Sequence, residues 1–189
     1  RYFQHERNQQ RLLVDPEGGK LLLLEKIQAE LNLPELPRHI ECFDNSNIQG
    51  AFPVAAMVHF TDGKPCPAEY RHYNIKTVEG PDDYASMEEI VYRRYKRLKD
   101  ENKPLPQLII VDGGKGQMEV VRSVIEDKLQ LTIPIAGLVK DNRHRTSELL
   151  YGFPPISIGI APRSAMFLLM ERIQSEVHRF AITFHKNKR

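Results

Sequence analysis

Leu108-Ile109-Ile110-Val111-Asp112-Gly113-Gly114-Lys115-Gly116-Gln117 is the stretch on which the fold turns. Four consecutive apolar residues are the pattern of a strand buried on both faces, as in parallel sheets covered by helices. The run stops at an acid and a glycine-rich turn, and helix signals follow from Gly116 to about Leu129. Pro134 to Val139 then reads as another strand. Strand, helix, strand implies a parallel crossover. Upstream, Met87, Ile90, Val91, Tyr95 and Leu98 mark one face of an amphipathic helix over 83–99, with Arg93, Arg94, Lys96, Arg97 and Lys99 on its remainder. Further upstream, 39–44, 53–60 and 68–75 are apolar or alternating runs. The last two are joined by Thr61-Asp62-Gly63-Lys64-Pro65, whose Asp-Gly signals a hairpin-type turn, so a three-stranded antiparallel meander is expected. Downstream, 140–160 reads as irregular, with Asn142, Arg143, His144 and Arg145 at a hairpin tip. A final helix spans about 163–184. The order βββαβαβα is α/β, with a mixed sheet of five strands and flanking helices.

Residues 1–37 read differently. A polar stretch and the turn Asp15-Pro16-Glu17-Gly18-Gly19 lead into a helix from Lys20 to Leu31 that ends before Pro34 and Pro37. This segment is expected to be a helical connector packing on the main domain, 38–189. The chain has 189 residues, 27 Lys+Arg against 25 Asp+Glu, and 41% hydrophobic residues. That composition excludes disorder and fibres, and any nucleic-acid surface must be local. Two cysteines cannot build a disulfide framework, and no apolar run approaches a membrane span, so a cytoplasmic protein with no membrane partner is expected. Arg1 in place of Met suggests a piece cut from a longer chain.

Chemistry concentrates at strand ends. Asp44 closes the first strand after the alternation Ile40, Cys42, followed by the polar turn Asn45-Ser46-Asn47; on its own it would be read as an Asx turn. Asp112 closes the buried strand, where α/β sheets bind ligands and glycines allow close approach. The glycine run is no NTPase loop, because the Gly-x-x-x-x-Gly-Lys-Ser/Thr spacing is missing. Lys115 reads instead as a cation beside Asp112, able to meet a phosphate. Asp82 and Asp83 stand where a helix cap and a first-turn acid belong. In the last helix Met166, Leu169, Met170, Ile173, Val177, Phe180 and Phe184 form one stripe, and His178, Glu171 and Gln174 lie on its flank. Two strand-end carboxylates, a helix-start acid and a late histidine together suit a divalent ion, Mg²⁺ or Mn²⁺, of the kind that serves phosphodiester hydrolysis.

Four ordered segments then carry a resemblance: Ile40-Glu41-Cys42-Phe43-Asp44, Gly80-Pro81-Asp82-Asp83-Tyr84-Ala85-Ser86-Met87, Val111-Asp112-Gly113-Gly114-Lys115-Gly116-Gln117 and Glu176-Val177-His178-Arg179-Phe180-Ala181-Ile182. Over about 150 residues they resemble the C-terminal nuclease half of the UvrC excinuclease family. The resemblance implies a ribonuclease H-like fold and metal-dependent cleavage of damaged double-stranded DNA on the 5′ side of a lesion. It implies Asp44, Asp112 and His178 as a catalytic triad that holds Mg²⁺ or Mn²⁺, with Asp83 as an additional acid. Lys115 and Arg179 are then expected to bind substrate. The excinuclease component UvrB, with UvrA indirectly, is the partner implied for the full-length protein. The chain departs from the family wording after Asp44, where Asn45-Ser46-Asn47 replaces the usual Ile-Ser-His. The resemblance also implies an N-terminal nuclease domain, a UvrB-binding segment and a tandem helix-hairpin-helix module, which are expected outside this stretch of sequence. Two other readings stand beside this one. One is a different ribonuclease H-like nuclease resembling endonuclease V, against which the Val-Asp-Gly-Gly-Lys-Gly-Gln motif argues. The other is an inactive domain of the same fold that only binds DNA or a partner, against which the retained acids argue.

Overall fold

Alternation in the central strands divides the molecule into two apolar layers. The computed structural model describes residues 16–46, 54–76, 82–141, 143 and 146–187. Its elements are α1 (Pro16–Leu31), β1 (His39–Ser46), β2 (Val54–Thr61), β3 (Lys64–Pro65), β4 (Arg71–Asn74), α2 (Asp83–Asp100), β5 (Leu108–Asp112), α3 (Lys115–Arg122), β6 (Ile135–Lys140), β7 (Thr146–Tyr151), β8 (Ile156–Ile158) and α4 (Ala165–Asn187). A π-helical turn, Ser123–Lys128, extends α3.

One mixed sheet runs in the order β3-β2-β1-β5-β6-β7-β8, with β4 also on β2. β1 pairs antiparallel with β2 and parallel with β5, and β5 pairs parallel with β6. The antiparallel start and parallel crossover are those read from the sequence. The sheet has eight strands rather than five. The run expected over 68–75 opens inside a 3₁₀ turn at Pro67–Glu69 and is strand only over Arg71–Asn74, while the segment read as the hairpin turn contributes Lys64–Pro65, so β3 and β4 cover the two ends of β2 separately. The segment expected to be irregular forms β7 and β8, paired antiparallel outward from β6. Asn142, His144 and Arg145, expected at its tip, lie outside the described residues, as do Asn47 and residues 1–15.

On one face Ile40 and Cys42 of β1, Leu108 and Ile110 of β5, and Leu138 of β6 pack with Met170, Ile173 and Val177 of α4 and Ile27 and Leu31 of α1. On the other, Phe43, Ile109, Val111 and Ile135 pack with Met87, Val91 and Tyr95 of α2 and Met118 and Val121 of α3. Residues i and i+2 of a strand share a face, so each strand supplies both cores. Asp82 caps α2, accepting the Ala85 amide at 3.0 Å. No helix among the described residues is long and apolar enough to cross a membrane.

The basic residues of α2 are largely paired within the protein. Arg94 is buried against Glu41. Arg93 donates to the Asn74 carbonyl and to Glu89, and Lys99 donates to the Leu129 carbonyl. Lys96 pairs with Asp100 and Arg97 with Glu101.

Candidate active site

The row of side chains that points at α4 changes character at the carboxyl ends of the parallel strands. In β1 it runs Ile40, Cys42, Asp44, in β5 Leu108, Ile110, Asp112, and in β6 Leu138, Lys140. Phe43 stands opposite Val111 in the parallel register, which sets Asp44 and Asp112 side by side on one face. Asp44 lies within its strand rather than at its end, because pairing with β2 continues to Ser46 opposite Val54. The polar turn therefore starts later than the sequence suggests.

α4 supplies the opposite wall. Gln174 and His178 are one turn apart and so share a helix face. The Gln174 amide donates to Oδ1 of Asp112 at 2.7 Å, and the Thr146 hydroxyl donates to Gln174 Oε1, which orients that amide. Nδ1 of His178 lies 3.8 Å from Oδ2 of Asp44, an ion-pair separation longer than a hydrogen bond. His178 is 52% exposed while Asp44 is 10% exposed, so the imidazole stands at the open side of a nearly closed carboxylate.

Lys140 completes the cluster, its ammonium donating to Oδ2 of Asp112 at 2.8 Å. Burial pushes the Asp112 carboxyl above its ordinary pKa and the charge of Asp44 pushes it further, while Lys140 and Gln174 pull it back. The Asp44 carboxylate in turn raises His178. Two carboxylates crowded at a strand end and an accessible imidazole are a donor set that suits a hard divalent cation, and the lysine stands in as their counter-ion in its place. Among the described residues no three His, Cys, Asp or Glu side chains are gathered closely enough to enclose an ion as they stand. Both oxygens of Asp112 are turned to Lys140 and Gln174 instead.

The cation on Asp112 is therefore Lys140, not Lys115 as expected. Lys115 opens α3 with its side chain in solvent, in a cleft of about 500 Å³ that Asp83, Tyr84 and Gln117 also line. Asp83 is the first residue of α2. Arg179 is exposed and its Nε donates to Glu176 at 3.0 Å, a surface pairing of small energetic weight. Sequence reasoning missed Lys140. Its signal was the alternation Leu138, Lys140 on the strand that neighbours Asp112.

An α/β sheet of this order, with acids adjoining at the ends of its parallel strands, defines the ribonuclease H-like nuclease class. Human endonuclease V is similar in fold, with a TM-score of 0.50 at 11% identity over 89% of this chain and 99% of that one. A Ciona intestinalis endonuclease V solved with DNA also scores 0.50, at 9% identity over 95% of this chain and 99% of that one. The family model described as the UvrC RNase H endonuclease domain matches residues 28–182, and the chain belongs to that family. It is 62% identical over 187 residues to UvrABC system protein C of Bacteroides thetaiotaomicron, covering 99% of this chain and 31% of that protein. To the protein of the same description from Flavobacterium johnsoniae it is 50% identical over 190 residues, with the same 31% coverage. The chain thus spans about a third of the length of these curated relatives.

Proposed function

We propose that this chain is the divalent-metal-dependent endodeoxyribonuclease domain that makes the incision 5′ to a lesion in nucleotide excision repair. The observation that carries the reading is the adjacency of Asp44 and Asp112 on β1 and β5, faced by His178 and neutralised by Lys140. Asp44, Asp112 and His178 would hold Mg²⁺ or Mn²⁺. When bound, such an ion supplies an activated water and neutralises charge on the transferring phosphate.

The protein's own part is positional and electrostatic. Gln174, oriented by Thr146, fixes the rotamer of Asp112. Lys140 balances the two acids while the site stands free and turns to a phosphate oxygen once Asp112 is otherwise engaged. Lys115 and Arg179 hold backbone phosphates on either side, where cations are worth most to a polyanion. The substrate is damaged double-stranded DNA. The excinuclease component UvrB, and UvrA indirectly, act through the rest of the full-length protein in the cytoplasm.

The test is metal withdrawal. Treating the full-length protein, loaded with its excinuclease partners on a lesion-bearing duplex, with a chelator should abolish 5′ incision, and added Mn²⁺ or Mg²⁺ should restore it. Incision that survives complete chelation contradicts the reading.

A further inference from the structure

We propose that Tyr84, seated on Gly116, is a stacking platform for one unpaired nucleobase flanking the scissile phosphate. The inference rests on the DNA-nuclease reading and adds a base subsite to it. Tyr84 sits in the first turn of α2 and is 54% exposed, an unusual place for a large aromatic ring.

The ring is nevertheless not loose. A Cβ on Gly116 would stand 2.7 Å from Cζ of Tyr84 and 2.9 Å from Cε1, and closer still to the hydroxyl oxygen. Only glycine lets the phenol rest there. Gly116 lies inside α3 and carries no left-handed φ, so the backbone itself does not require glycine and alanine would be the better helix former. The absent side chain is explained by the ring, whose hydroxyl end reaches over the α3 backbone at Gly116 while the residue as a whole stays 54% exposed.

The surroundings fit a nucleotide. Gly116 is four residues past Asp112, so the cleft opens at the same end of the sheet as the acids. Lys115, exposed and without an ion pair among the described residues, offers a phosphate contact. Gln117 lines the same cleft and adds polar surface beside the ring. Asp82 and Asp83, which precede Tyr84 and line the same cleft, disfavour a phosphate beside the ring and leave that place to the uncharged base. Stacking reads no particular sequence, because every base has a π-face.

The experiment uses the full-length protein with its excinuclease partners on a lesion-bearing duplex carrying 2-aminopurine next to the 5′ cut. Tyr84→Ala should slow incision about tenfold to a hundredfold, the scale of one lost base–aromatic stack, and should brighten the bound probe. Tyr84→Phe keeps the ring and should behave as the parent. Gly116→Ala should fold, because only an exposed ring has to swing away, yet lose the same factor. Tyr84→Ala combined with Gly116→Ala should be no worse than either alone. Parental incision by Tyr84→Ala, equal defects in Tyr84→Phe and Tyr84→Ala, or additive losses in the double variant each overturn the platform. If Asp112→Asn also cuts normally, the nuclease reading falls and the subsite falls with it. If Asp112→Asn is dead while Tyr84→Ala is normal, the subsite alone fails.

Discussion

Asp44→Asn and Asp112→Asn in the full-length protein should each lower 5′ incision at least about a thousandfold, the upper range for losing one preorganised electrostatic group at a reacting centre. Loading onto damaged DNA should be unchanged. Asparagine keeps the shape of each side chain and removes its charge, so strand pairing around β1 and β5 is not disturbed. The balance at Asp112 makes this a clean experiment. Its carboxylate is opposed by burial and by Asp44 and favoured by Lys140 and Gln174, so losing the charge relieves one interaction as it forfeits another. Folding should therefore survive where cleavage does not. Gel assays that resolve loading from incision on a lesion-bearing duplex check this, and retained incision in either variant would sink the site.

Glu41→Gln should destabilise the fold by about 3–5 kcal/mol, the cost of leaving one member of a buried ion pair alone. Glu41 is 1% exposed on the face of β1 opposite Asp44 and accepts four hydrogen bonds. Arg94 donates twice, through Nε at 3.2 Å and Nη2 at 2.6 Å, Tyr95 donates its hydroxyl at 2.8 Å, and His59 Nδ1 lies 2.7 Å away. Glutamine cannot neutralise the guanidinium, which is itself only 9% exposed. At about 2–4 °C per kcal/mol for a chain of this size, the melting temperature should drop by roughly 6–20 °C.

The same network sets an acid limit. Burial pushes the Glu41 carboxyl up, but the bonds from His59, Arg94 and Tyr95 outweigh it and bring the pKa down to about 2 from 4.5. A depressed folded-state pKa stabilises fully above the unfolded value. Its contribution, about 3 kcal/mol, is thus present above pH 4.5 and is lost as pH falls toward 2. Denaturant melts of the parent across that interval should show the loss, and Glu41→Gln should flatten it. A variant as stable as the parent at neutral pH would show that the network does not stabilise the fold.

These two sites show what a sequence can and cannot reveal. The run Leu108 to Val111 and the turn after Asp112 carry the crossover and the sheet class, because burial on both faces leaves a local mark. Arg94 reads as solvated from its charge, although its spacing from Val91, Tyr95 and Leu98 sets it near the buried arc of α2. What reverses the reading is a partner 53 residues away on β1, invisible to any local window. Lys140 escapes notice for the same reason, since its meaning depends on the register that places Leu138 opposite Asp112. β7 escapes because its strand character comes from pairing with β6 rather than from alternation of its own. Chemistry and resemblance pick out the candidate acids and His178, whereas their environment, with Gln174 on Asp112 and a lysine as counter-ion, needs the fold.

If Asp44, Asp112 and His178 form one divalent-ion site, anomalous diffraction from crystals soaked in Mn²⁺ will locate the ion there. An anomalous peak is expected within coordination distance of carboxylate oxygens of both Asp44 and Asp112, with Lys140 drawn off Asp112 and His178 turned toward the ion. A soak that leaves this position without a peak, with the Lys140–Asp112 pair intact, or one that places Mn²⁺ on other side chains, would contradict it.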